Sequence, residues 1–366
     1  LDYLVQYGAL LRKVVTLVIV LVLLLSAITS MGGRQRRGLK RGSIVVESLN
    51  DHLDDLRDSL RFEVLDKAEF KLEQKLKLKD EKKKAKLSKA AAKKKLKKTS
   101  PQEGKEDEGT EAEHARKRIF VLDFDGDVAA QGVESLREEI TAVLSLAKPI
   151  DEVILKLQSP GGMVHAYGLA ASQLQRIKDA KVRLTICVDN VAASGGYMMA
   201  CLADRIVAAP FAIIGSIGVV VQLPNFHRML KKNDVDFEVI SAGEYKRTLS
   251  TFGEITEKGR SKVQEDVETI HELFKGWVKT HRPSVEIDKV ATGETWVGSQ
   301  AKERYLVDEL NTSDAVLLRA CEDADVYEVS YRIKQSLQEK LGATVERGVM
   351  RAVTALASSD HSKDFQ

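Results

Sequence analysis

A chain of 366 residues holds about two and a half domains at roughly 150 residues each. With 43% hydrophobic and 30% charged residues it can build a core, which excludes wholesale disorder, and its three widely spaced cysteines (Cys187, Cys201, Cys321) exclude a disulfide scaffold or a C-x-x-C motif. The net charge of +3 conceals an asymmetry: Lys67 to Lys98 carry fifteen lysines against four acids, so the remainder is net −8 and nucleic acid is not an expected partner.

In chain order, Val14–Ile28 (VVTLVIVLVLLLSAI) is uncharged and follows Arg12 and Lys13. Extended through Ser30 and Met31 it reaches the short end of a bilayer span, and residues 1–33 are predicted to form an N-terminal membrane anchor. A cleaved secretory signal has the same flank and apolar length, but Ala27-Ile28-Thr29 makes a poor cleavage site. Arg34, Arg36, Arg37, Lys40 and Arg41 outnumber the upstream cations, which argues that the bulk of the chain stays in the cytoplasm. The short upstream tail would also translocate easily, so the side of the membrane stays open.

Residues 34–117 read as a charged, partly helical and partly disordered linker. Leu49, Leu53, Leu56 and Leu60 recur at helical spacing, a short amphipathic helix able to pair with a copy of itself. The lysine-rich run that follows is too charged to bury a face. It suits a solvated spacer, or attachment to anionic headgroups or nucleic acid, and the spacer is the reading we favour. Thr99-Ser100-Pro101 stops it, and an acidic patch from Glu103 to Glu113 completes the linker.

At Arg118 strands and helices begin to alternate. Strands are predicted at Ile119–Phe124, Val153–Gln158, Arg183–Val188, Asp204–Ala209 and Phe237–Ile240. Helices are predicted at Val133–Ala147, from Val164 to Ile177, from the Asn190–Tyr197 turn onward, over Gly259–Trp277 and within Ala291–Leu310. Crossovers of this length mean an α/β domain with largely parallel pairing. Beyond it, Val329, Ile333, Leu337 and Leu341 predict a packing helix within Val326–Ala357.

Two turns could carry chemistry. Gly161-Gly162 ends a buried strand and opens a helix, where free backbone N–H groups could meet a negative charge. Ser194 lies between two alanines and two glycines at a second strand-to-helix junction, which leaves its hydroxyl room to meet a substrate. Such a serine needs a base. His165 and His227 are candidates, but each reads more readily as a partly exposed helix or loop histidine. Lys246, after Ser241-Ala242-Gly243, is the lysine worth naming, although by pattern alone it is a surface lysine beside Arg247.

Taken together, SPGG at Ser159–Gly162, NVAASGGYMMA around Ser194, GSIGV at Gly215–Val219 and AGEYKR around Lys246 resemble the signal peptide peptidase A family of Ser-Lys proteases. The resemblance spans Arg118 to Thr312 and, more loosely, the N-terminal region. It implies Ser194 as nucleophile, Lys246 as general base and Ser216 as the hydroxyl that orients the lysine. The amides of Gly161 or Gly162 and of Gly195 would form the oxyanion hole. It also implies a ClpP/crotonase-like β-β-α superhelix over residues 118–312, with 313–366 a C-terminal helical extension and tail. Single-pass attachment to a bacterial inner membrane and a homo-oligomeric ring, in which serine and lysine come from one subunit or from neighbouring ones, belong to the same expectation. A single SPGG and a single ASGG mark the undivided form of the domain. Expected substrates are peptides or unfolded segments near the bilayer, remnant signal peptides among them.

Two other readings compete: a crotonase-like acyl-CoA enzyme, which shares the fold, and a catalytically inactive membrane scaffold. Neither a cofactor nor a metal is expected. His271-Glu272 is followed by Lys275 where a second histidine would stand, and no phosphate-binding G-x-x-x-x-G-K-[ST] loop occurs.

Overall fold

The computed structural model of the chain describes residues 42–64, 79 and 116–333. The expected anchor, the lysine-rich run apart from Lys79, and residues 334–366 lie outside them. Among the described residues no helix is long and apolar enough to cross a membrane. The described residues fall in two units, 42–44 with 331–333, and those between 45 and 330. In the first, the Gly42 N–H donates to the Tyr331 hydroxyl at 2.6 Å.

The main sheet is built on parallel strands. These are β2 (Arg118–Asp125), β3 (Glu152–Gln158), β4 (Arg183–Val188), β6 (Arg205–Ala208), β9 (Glu309–Leu310) and β10 (Asp325–Arg332). With β1 (Ser43–Ser48) they form a seven-stranded sheet ordered β1-β10-β2-β3-β4-β6-β9. Every pairing from β10 through β9 is parallel. A parallel strand is covered on both faces, so its sequence is a nearly continuous apolar run. IFVL of β2 and EVIL of β3 are buried at every position, and each large apolar side chain so buried contributes on the order of 1.5–3 kcal/mol.

The two faces divide along the strands by alternation. On one side α2 (Val133–Leu144) packs on β2 and α3 (Val164–Asp179) packs on β4, burying Leu136, Ile140, Leu174 and Ile177. On the other, Ile119, Val121, Ile154, Cys187, Val207 and Val326 cluster with Val316 of α9 (Ser313–Asp323) and with Ala324. Leu49, the first residue of α1 (Leu49–Val64), packs against that cluster. Asn50 then pins α1 in place: its amide donates to the Cys321 and Ala324 carbonyls and accepts from the Val326 N–H. The long helix α6 (Glu257–His281) ends at Arg282. The buried Arg282 guanidinium makes a two-pronged ion pair with Asp308 at 2.7 and 2.9 Å. Burial alone would lower the Arg282 pKa, but Asp308 outweighs it and the net shift is upward.

Several elements differ from the sequence reading, each for a physical reason. The Asn190–Tyr197 turn contains a strand, β5 (Val191–Ala193), before its helix α4 (Gly195–Ala200). With β7 (Ile213–Gly215) and β8 (Thr295–Val297) it forms a second, three-stranded sheet, with β5-β7 parallel and β7-β8 antiparallel. Three-residue strands are too short to show a period. The 291–310 stretch, expected to be helical, therefore holds β8, α8 (Gly298–Glu303) and β9.

Residues 326–332, expected to be helical, form β10 instead. Val326 and Val329 are three apart, but the segment is rich in valine and tyrosine and has β2 beside it as a parallel partner. The seven-stranded sheet thus takes strands from both sides of the 118–312 boundary. Phe237–Ile240, expected as a strand, is irregular and exposed, because no strand among the described residues pairs with it. It belongs to a largely exposed segment, residues 219–253, which includes α5 (His227–Lys232). The α2, α3 and α6 predictions hold to within a few residues.

Candidate active site

The small sheet holds the two glycine-rich turns together. The Ala193 N–H donates to the Ser159 carbonyl at 3.0 Å, and the Ser159 N–H to the Val191 carbonyl at 2.8 Å. This brings Gly161 against the second turn: a methyl group on Gly161 would lie 2.7 Å from both the Ser194 Cβ and the Gly195 nitrogen. Gly161 has φ +89°, a conformation that side chains rarely adopt.

In the parallel register Ala193 is opposite Gly215, so the next residue on each strand is a serine, Ser194 or Ser216. The Ser194 N–H donates to the Gly215 carbonyl at 2.8 Å, and the Ser216 N–H to the Glu294 carbonyl at 2.7 Å. Both serines have positive φ, +52° and +51°. A serine held there costs about 1–2 kcal/mol of backbone strain, which the surrounding hydrogen bonds must offset.

Ser194 and Ser216 open into one pocket of about 400 Å³, with Gly162, Gly195 and Thr292 on its polar side. Val164, Met198, Val219, Val220, Ile270 and Phe274 supply most of its apolar wall. Among the described residues neither the Gly162 N–H nor the Gly195 N–H is spent on a protein acceptor. The arrangement therefore offers two serine hydroxyls, two free amide donors and an apolar recess, parts that acyl transfer uses, but no lysine base.

Other nucleophiles are poorly placed. Burial pushes the Cys187 and Cys201 thiols up to about 12, so neither forms a thiolate at neutral pH. No group of three or more His, Cys, Asp or Glu among the described residues is placed to hold a metal.

Of the residues singled out in the sequence, the structure gathers Ser194, Ser216, Gly161, Gly162 and Gly195. It does not bring Lys246 to them: Lys246 is exposed on the 219–253 segment and is not among the residues lining the pocket. His165 is exposed on α3, and His227 starts α5 away from the pocket. Two pocket residues went unrecognised. His271 lines the pocket with Nε2 3.3 Å from the Ile217 carbonyl, and the sequence offered only a failed metal motif there. Tyr167 has no motif around it to mark it.

The glycines carry their own test. A methyl on Gly162 would lie 2.1 Å from the Val128 carbonyl oxygen, and one on Gly195 would lie 2.4 Å from the Tyr167 ring. Gly162→Ala and Gly195→Ala are each expected to lower stability in urea by about 1–3 kcal/mol. Gly168→Ala on α3, with open space around it, is expected to change it by less than about 1 kcal/mol. Equal midpoints for all three would mean that the turns tolerate side chains.

A parallel α/β protein with a strained serine at a strand-to-helix junction and free amides beside it belongs to the class that includes acyl-transfer hydrolases. The family match is specific: residues 176–327 match the model described as Peptidase family S49, and residues 2–174 the Peptidase family S49 N-terminal model. A protein of Haemophilus influenzae named "Probable protease SohB" is 45% identical over 368 residues, covering 100% of this chain and 99% of the relative. One of the same name from Buchnera aphidicola subsp. Acyrthosiphon pisum is 52% identical over 230 residues, 63% of this chain and 68% of the relative. The solved structure of a membrane-bound stomatin-specific protease with a substrate peptide aligns at TM-score 0.40 and 15% identity, covering 63% of this chain and 99% of that one. The chain belongs to peptidase family S49 and is a protease close to SohB.

Proposed function

We propose that the chain is a membrane-anchored serine endopeptidase working through a Ser194–Lys246 dyad on a ClpP/crotonase-like β-β-α superhelix. Ser194 Oγ attacks the peptide carbonyl while the Lys246 amine takes its proton. The tetrahedral oxyanion is held by backbone N–H groups of the two glycine turns. Collapse expels the amine, which receives that proton, and leaves an acyl-enzyme that water hydrolyses. Ser216 orients the lysine. The observation that carries this reading is the strained Ser194 opening into a pocket beside two unspent amides.

A lysine acts as a base only as the free amine, which requires a setting shielded from water. Within one chain Lys246 is exposed, so the reading places it at the Ser194 of a neighbouring copy in a ring. The segment that carries it supports this, because Val220, Phe237, Val239, Ile240 and Tyr245 are all exposed there, Ile240 at 92%. An apolar surface of this kind marks an interaction site. Residues 1–33 would anchor the ring to a bacterial inner membrane, with residues 34–42 between that anchor and β1 and residues 65–117 joining α1 to β2. The domain at 118–312 would then meet peptides and unfolded segments, remnant signal peptides among them.

The test is covalent. A fluorophosphonate probe is expected to label the full chain on Ser194, found by mass spectrometry, with no turnover of acyl-CoA thioesters. Acyl-CoA turnover without labelling would favour the crotonase-like reading. Absence of both would favour an inactive scaffold.

A further inference from the structure

We infer that Tyr167 and Ser159 form a positioning relay that decides which amides of the glycine turns are left for the substrate. The inference rests on the peptidase reading above and deepens it.

The direction of each hydrogen bond follows from proton counting. The Tyr167 hydroxyl has one proton, and it donates to the Asp127 carbonyl at 2.7 Å. The 2.5 Å contact between Tyr167 Oη and Ser159 Oγ must then have Ser159 as donor. With its proton committed, Ser159 Oγ accepts the Gly161 N–H at 3.0 Å. The chain therefore runs one way, from Gly161 through Ser159 and Tyr167 to Asp127. Burial raises the Tyr167 pKa, which keeps the phenol protonated and able to donate at neutral pH. Tyr167 and Ser159 are both fully buried, and a methyl on Gly126 would reach within 2.6 and 2.7 Å of their oxygens, so no water-sized space intervenes.

The consequence concerns the oxyanion site. The Gly161 N–H is consumed by Ser159, which leaves the Gly162 and Gly195 amides to face a substrate oxygen. The same tyrosine supports the other turn, because Gly195 lies against its ring. One side chain thus sets both donors, its hydroxyl through the first turn and its ring beneath the second. Tyr167 and Ser159 are positioning residues: the relay acts through the amides.

The test uses the full chain in its membrane-extracted form, a fluorogenic peptide substrate and the matching peptide aldehyde, whose adduct with serine carries the oxyanion. Tyr167→Phe keeps the ring and removes the hydroxyl. It is expected to lower kcat about 10-fold with KM within about twofold, and to weaken the aldehyde by a similar factor. Binding of the corresponding peptide alcohol, which forms no adduct, is expected to stay unchanged. Ser159→Ala should behave alike, and the double variant should be no worse than the poorer single one, as for two links of one chain. Unchanged kcat and aldehyde affinity in either variant, or fully additive losses, would overturn the relay. Ser194→Ala run alongside separates the two claims: activity surviving there overturns the peptidase reading, while its loss with an unaffected Tyr167→Phe overturns the relay alone.

Discussion

Ser194→Ala is expected to abolish peptide cleavage, with kcat/KM falling by about four orders of magnitude or more, as removal of a nucleophile does in serine hydrolases. The protein should still fold, since the Ser194 N–H bond to the Gly215 carbonyl is a backbone bond that alanine keeps. A second variant distinguishes loss of the hydroxyl from loss of the structure. Ser194→Gly also lacks the nucleophile but adopts φ +52° without a Cβ clash, so it should be as inactive as the alanine variant yet about 1 kcal/mol more stable in urea. Cleavage by purified Ser194→Ala protein at more than a hundredth of the native rate would remove Ser194 from the chemistry. Equal stability of the two variants would mean that the turn is unstrained.

Lys246→Ala is expected to abolish activity as completely, although this lysine lines no part of the pocket within its own chain. The decisive measurement mixes the two dead proteins. If the dyad forms between copies, co-assembly of Ser194→Ala with Lys246→Ala subunits pairs an intact serine with an intact lysine at about a quarter of randomly formed interfaces, and activity returns to roughly that fraction. A mixture that stays inactive after co-assembly is verified would put serine and lysine in one chain, which requires residues 219–253 to fold back on the pocket. Full activity in Lys246→Ala alone would end the Ser-Lys mechanism. His271, already lining the pocket, would then be the first side chain to replace as the base.

The parallel core was legible because its strands are long enough to show their character. IFVLDF and VILKLQ open on unbroken apolar runs, IFVL and VIL, as expected when both faces are covered. The glycine turns were legible for a related reason: close approaches of 2.1 to 2.8 Å leave no room for a side chain, so SPGG and ASGG stand out in the text itself. What stayed hidden depends on long-range partners. β5, β7 and β8 have three residues each and exist because of one another. β10 is a strand because β2 lies beside it, some two hundred residues earlier in the chain. FEVI at Phe237–Ile240 has a strand's composition but no pairing strand among the described residues, so composition alone misread it. Tyr167 was invisible for the opposite reason: a lone tyrosine on an amphipathic helix reads as core, and only the hydrogen-bond directions give it a role.

The pairing of Ala193 with Gly215 has a consequence for how this protein can be altered. The two serines hang from one rung, so their separation in space is set by register and not by the length of chain between them. Adding or deleting a single residue inside either short strand would turn one hydroxyl away from the other. The connection at residues 209–212 lies outside that rung; Ala209 and Pro210 are hydrogen-bonded to Val188 and Ser299, but Phe211 at its bend is 85% exposed. An insertion at that bend would lengthen the chain between the two hydroxyls without parting them, which makes it the natural place to attach a tag or a tether beside the reactive centre.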